Sequence, residues 1–193
     1  MIKRSRTIAI TILGAAAFTL AGCQEEQVDA QAFPDLQSCT NAAQNGGAIT
    51  VAECDASFAA AAALHVEAAP RYDSLAVCEE QHGEGACGTE EAQTQSGSSG
   101  IFMPLMMGYL IGSMMSNRAG MAASQPLYQK PGGGFTNAAG TSNFSNNAGA
   151  AKLNTSQFTR PATTAGQAPM SRGTAAARGG FGNSSAGRTS TGG

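Results

Sequence analysis

The chain has 193 residues, no tryptophan, 25 glycines and only 12% charged residues. A composition this rich in Ala, Gly, Ser, Thr and Asn leaves little apolar surface to offset the entropy of ordering, so only about a third of the chain is expected to fold compactly. The formal charge of −2 hides an asymmetry: all 13 acidic residues lie between Glu25 and Glu91, where Arg71 is the only base. From Arg118 onward come only bases, namely Arg118, Lys130, Lys152, Arg160, Arg172, Arg178 and Arg188.

The N-terminus reads as an address. Lys3, Arg4 and Arg6 precede an apolar run from Ile8 to Leu20, the layout of an export signal over residues 1–22. That run is shorter than the roughly 20 apolar residues a membrane span needs. It ends in Leu20-Ala21-Gly22-Cys23, a lipobox, so Cys23 is the expected lipidation site and first mature residue. Gln24 follows it. Asp at that position tends to retain lipoproteins at the inner membrane, so Gln24 points to the outer membrane, periplasmic face. Several acyl chains on one cysteine give effectively permanent attachment.

Residues 23–34 read as a lipid-anchored tether. Residues 35–88 read as a helical head carrying Cys39, Cys54, Cys78 and Cys87, an even number that suits two disulfides in an oxidising compartment. Asp35 caps a first short helix, ended by Asn45-Gly46-Gly47. Thr50-Val51-Ala52-Glu53 is a capping box opening a long alanine-rich helix that Pro70 stops. A third helix starts after Asp73 or Ser74 and ends near Gly83. Three connectivities are open. A weak internal echo between the segments around Cys39 and Cys78 favours local pairing, Cys39 with Cys54 and Cys78 with Cys87. The nested alternative joins Cys39 to Cys87 and Cys54 to Cys78.

Residues 89–100 read as a polar linker. Residues 101–117, from Ile101 through Met103-Pro104-Leu105-Met106-Met107 to Asn117, read as one apolar Gly/Met-rich helix with Pro104 in its first turn. Gly108, Gly112 and Ser116 repeat every four residues and suit close docking on a partner helix, either a second copy or an unknown envelope protein. Residues 118–193 read as a disordered basic tail. Its bases suit an anionic envelope surface, or the acidic head itself at high effective concentration.

No residue pattern supports catalysis. The two histidines, His65 and His82, have no motif-placed nucleophile beside them. Cys78, His82 and Cys87 lack the paired spacing of a zinc site, so no metal and no cofactor is expected. Arg178-Gly179-Gly180-Phe181-Gly182 resembles an RGG element, but the envelope address argues against nucleic acid. The fold class expected is therefore mostly α, and the role expected is that of a non-enzymatic envelope lipoprotein. The alternative is a periplasmic binding module for a small ligand or metal.

The order of segments resembles the YgiB-type family of uncharacterised Gram-negative lipoproteins. The resemblance is carried by the lipobox, by Cys78-Glu79-Glu80-Gln81-His82-Gly83-Glu84-Gly85-Ala86-Cys87, and by Met103-Pro104-Leu105-Met106-Met107-Gly108-Tyr109 with Gln125-Pro126-Leu127. Arg178-Gly179-Gly180-Phe181-Gly182 near the end adds to it. It implies the address and architecture, no assigned activity, and genes that neighbour those of ATP-grasp proteins similar to glutathionylspermidine synthase, which adds an accessory role in such a pathway as a further alternative.

Overall fold

A computed structural model describes residues 26–113 and 123–180. In chain order these form β1 (Gln27–Phe33), α1 (Leu36–Gln44), α2 (Val51–Ala68), α3 (Leu75–His82), β2 (Cys87–Thr89), α4 (Glu90–Thr94), β3 (Phe102–Pro104) and β4 (Tyr109–Gly112). Then follow β5 (Ser124–Gln129), β6 (Phe135–Asn137), β7 (Asn143–Phe144), β8 (Gly149–Asn154), a 3-10 turn (Thr155–Phe158) and α5 (Arg172–Ala177).

The expectation of a mostly α fold is overturned. The centre of the molecule is a curled antiparallel sheet of six strands in the order β7-β6-β5-β4-β1-β8. A two-stranded sheet of β2 and β3 lies beside α3. The segment Gln27–Phe33, expected to be tether, is an inner strand paired on one side with β4 and on the other with β8. Its sequence carries the period-2 alternation of a half-buried strand: Val28, Ala30 and Ala32 on one face, Gln27, Asp29 and Gln31 on the other.

The apolar helix expected over residues 101–117 does not form. Its described part divides into β3 and β4, separated by a break at which Gly108 has φ +147°. A Cβ on Gly108 would stand 2.8 Å from the Phe33 carbonyl oxygen, so glycine is required by close strand approach rather than by helix docking. All four residues of β4 are buried, covered on both faces, and a strand buried on both faces shows no alternation to distinguish it from a helix. Ser116 lies outside the described residues.

The expected disorder from residue 118 is also corrected for the described part of the tail. Residues 124–158 supply four strands of the main sheet, and Leu127, Tyr128 and Phe158 are fully buried. The few aromatic and aliphatic residues of the tail are used as sheet core, which makes up for a composition otherwise too poor to fold.

Two apolar layers follow from the alternation. On one face Ala30, Ala32, Leu110, Leu127 and Leu153 pack with Phe158 from the 3-10 turn. On the other, Phe33, Tyr109 and Ile111 receive α1 and α2 through Cys39, Cys54, Ala61 and Phe58. The helices start where the sequence indicates. Asp35 accepts from the Ser38 N–H at 2.6 Å. Thr50 and Glu53 form both halves of the capping box, and α2 ends at Ala69, which is extended ahead of Pro70. The disulfides take the local connectivity, Cys39–Cys54 and Cys78–Cys87.

Candidate functional site

Two features hold polar chemistry or space. The first is a buried network that contains both histidines. The ring of His65, on α2, sits between Tyr128 of β5, 3.0 Å from Nδ1, and the Gln93 side-chain oxygen, 3.1 Å from Nε2. The Gln93 amide nitrogen donates to the Met103 carbonyl, which fixes its oxygen toward His65. His65 therefore donates from Nε2 and accepts the Tyr128 hydroxyl at Nδ1. His82, at the end of α3, has the opposite tautomer. Its Nδ1 donates to the Gln129 carbonyl at 3.0 Å, and Nε2 accepts the Tyr72 hydroxyl at 2.9 Å. Burial lowers both imidazoles from the ordinary 6.5 to about 4, so both are neutral. Burial likewise pushes the Tyr72 and Tyr128 phenols well above their usual range.

Next to this network Arg71 is almost fully enclosed. Its Nε donates to Glu90 at 2.6 Å, Nη1 to the Ala69 carbonyl and the Thr164 hydroxyl, and Nη2 to the Val66 carbonyl. Burial raises the Glu90 carboxyl, but the bonds from Arg71 and the Ser98 N–H, with the arginine charge, outweigh it and hold it below the usual range. Every one of these groups is satisfied by the fold, so the network clamps α2, α3, β5 and the 159–170 segment together. Its nitrogens are committed to protein partners, which is the arrangement of a structural polar core rather than of a general base.

The second feature is a groove of about 720 Å³ between the sheet and the start of α2. Gln31 of β1, Ile111 of β4 and Ala150 of β8 lie side by side on one wall. Ala48 and Ile49, from the turn before α2, and Ala56 and Ser57 on its first turns form the other. Asp29 and Glu53 stand at the rim. Asp29 pairs with Lys152 at 2.7 Å, both largely exposed, and Glu53 is held ionised by hydrogen bonds from the Thr50 N–H and hydroxyl. Ser113 and Ala123, which flank residues 114–122, also line it.

Cys23 lies outside the described residues. Cys39, Cys54, Cys78 and Cys87 are spent in disulfides, so the Cys78–His82–Cys87 cluster has no thiolate to offer. Gly112 ends β4 and lines the groove, whereas Gly108 packs against Phe33. Among the described residues no three His, Cys, Asp or Glu side chains converge on a metal position. No described helix is long and apolar enough to cross a membrane. Among the described residues, bases of the tail face carboxylates of the acidic segment, with Lys152 on Asp29, Arg160 on Glu67 and Arg172 on Glu80. Sequence reasoning missed the groove because its lining comes from five segments spread between Asp29 and Ala150, and no local pattern records their meeting.

Comparison with known proteins places most of the chain in one family. No solved structure matches the chain. A UPF0441 protein of Klebsiella pneumoniae subsp. pneumoniae is 33% identical over 186 residues, covering 88% of this chain and 77% of that protein. A UPF0441 protein of Klebsiella pneumoniae strain 342 matches to the same degree. Residues 27–192 match the profile of a family described as a protein of unknown function, DUF1190, and the chain belongs to that family.

Proposed function

We propose that the protein is a lipid-anchored component of the bacterial envelope, attached through acylated Cys23 on the periplasmic face of the outer membrane. Its role is non-enzymatic, that of an interaction or structural lipoprotein. The observation that carries this reading is the pair of disulfides, Cys39–Cys54 and Cys78–Cys87, which suit an exported protein and are rare in a reducing cytosol. The lipobox before Cys23 supplies the anchor and Gln24 the preference for the outer membrane. Because β1 begins at Gln27, the anchor would hold the sheet itself close to the lipid surface rather than at the end of a long tether. The commitment of both histidines to internal partners favours a role in binding or assembly over one in chemistry.

Membrane fractionation tests the reading. Wild-type protein is expected in the outer-membrane fraction, and Cys23→Ser protein is expected to leave it. Equal recovery of both in the soluble fraction would contradict the anchor.

A second reading, that of a binding module, is favoured by the groove beneath α2, whose size falls within the range of about 300–1,000 Å³ typical of small-molecule sites.

A further inference from the structure

We infer that the groove beneath α2 seats one acyl chain of the protein's own N-terminal lipid, folded back from Cys23; this rests on the acylation of Cys23 proposed above. Three observations converge on that occupant.

The first is the chemistry of the walls. Ile49, Ala56, Ile111, Ala123 and Ala150 give the groove a mainly apolar lining, with Gln31 and Ser57 as the polar side chains on its walls. Such walls leave room for a slender chain and offer few hydrogen bonds to a polar ligand.

The second is where the chain enters. Cys23 stands six residues before Asp29, which lines the groove. At roughly 3.3–3.6 Å per extended residue, that bounds the separation at about 20 Å. Covalent linkage would therefore keep a lipid on Cys23 within about 20 Å of Asp29, close enough to raise its effective concentration at the groove to the millimolar range.

The third is charge. The rim carries the carboxylates of Asp29 and Glu53, with Lys152 paired to Asp29. A free fatty acid or an anionic phospholipid would bring a negative head against that rim. The thioether and esters that join acyl chains to a lipoprotein cysteine carry no charge. The rim therefore favours the protein's own lipid over those anionic competitors. With one chain sheltered and the others in the bilayer, the Gln27 end of β1 would be held against the membrane.

The test uses the full-length protein purified from its native membrane in mild detergent, with intact mass first establishing acylation. A photo-crosslinking p-benzoylphenylalanine replaces Ala56 in one variant and Ile49 in another, so a folding failure in one leaves the other. A third variant carries the probe at Val66, exposed near the far end of α2. After irradiation and digestion, the Ala56 and Ile49 probes are expected to join α2 peptides to the acyl-bearing Cys23 peptide of the same molecule. The Val66 probe should not, and Cys23→Ser should abolish the product. An acylated protein whose two groove probes capture only membrane phospholipid, a second copy, residues 114–122 or nothing would overturn the inference and leave the anchor standing. A mass without acyl groups would remove both.

Discussion

His65 and Tyr128 share a hydrogen bond of 3.0 Å that ties α2 to β5, and the Tyr128 ring also lies edge-on to His82, with centroids 6.1 Å apart. One tyrosine of the tail thus touches both histidines of the chain, and the helical segment and the sheet are joined through a neutral, buried network. This relationship makes the fold sensitive to acid. In the folded state both imidazoles titrate near 4, against an ordinary 6.5. Between those values the unfolded chain binds more protons, so the stabilisation present above about pH 6.5 is lost as pH falls toward 4. At 1.36 kcal/mol per unit, the loss reaches about 3 kcal/mol for each histidine. Urea denaturation at intervals from pH 7.5 to 4.5 is expected to show falling midpoints. A flat profile would mean that the histidines are hydrated or charged in the native state.

Two buried tyrosines are expected to respond oppositely to loss of their hydroxyls. Tyr128→Phe leaves the buried Nδ1 of His65 without its donor and should destabilise by about 1–3 kcal/mol. The buried Tyr109 hydroxyl has no hydrogen-bond partner among the described residues, and burial, with the charges of Asp35 and Asp55, pushes its pKa up to about 12. Tyr109→Phe removes an unmatched polar atom and should be neutral or stabilising. Paired thermal melts of the two variants read the contrast directly.

The Arg71–Glu90 pair is enclosed, with side chains only 4% and 11% exposed. Arg71→Met strands the Glu90 carboxylate and should destabilise by about 3–5 kcal/mol. It also removes the donor to Thr164, so the 159–170 segment should become accessible to protease. The surface pair Lys152–Asp29 is the control: Lys152→Met should change stability by less than about 1 kcal/mol. Denaturant midpoints with limited proteolysis would separate the two.

Much of the helical segment was legible because its signals are local. A cap at Asp35, a capping box at Thr50 and Glu53, and a stop at Pro70 each act within a few residues, and all three mark true boundaries. The sheet was not legible for the converse reason. Strand β1 pairs with β8, so that Gln27 lies opposite Asn154, 127 residues away, and no local pattern records that pairing. The alternation of Val28, Ala30 and Ala32 was a usable sign, masked by its position directly after the lipobox. Pro131-Gly132-Gly133-Gly134 was another. It forms the turn between β5 and β6, where the Lys130 N–H bonds the Gly134 carbonyl, and a four-residue Pro/Gly loop between Leu127-Tyr128 and Phe135 reads as a hairpin. The Tyr109–Gly112 run carries no periodicity at all, since both of its faces are covered.

The disulfides close short loops, with sequence separations of 15 and 9. In the chain-entropy model each contributes about 3 kcal/mol. Reduction should therefore lower the melting temperature markedly. Cys39→Ala/Cys54→Ala should loosen α1 against α2, whereas Cys78→Ala/Cys87→Ala should loosen α3 against β2. Hydrogen exchange of the two double variants would show the losses in different regions; a common pattern would contradict the local pairing.

The most direct test of an exported, lipid-anchored, oxidised protein is the intact mass of the chain from the native membrane fraction, measured with and without reduction before thiol alkylation. A chain starting at acylated Cys23 is expected, unmodified by the alkylating agent until reduction and then gaining four labels. An unlipidated mass, or thiols that label without reduction, would contradict it.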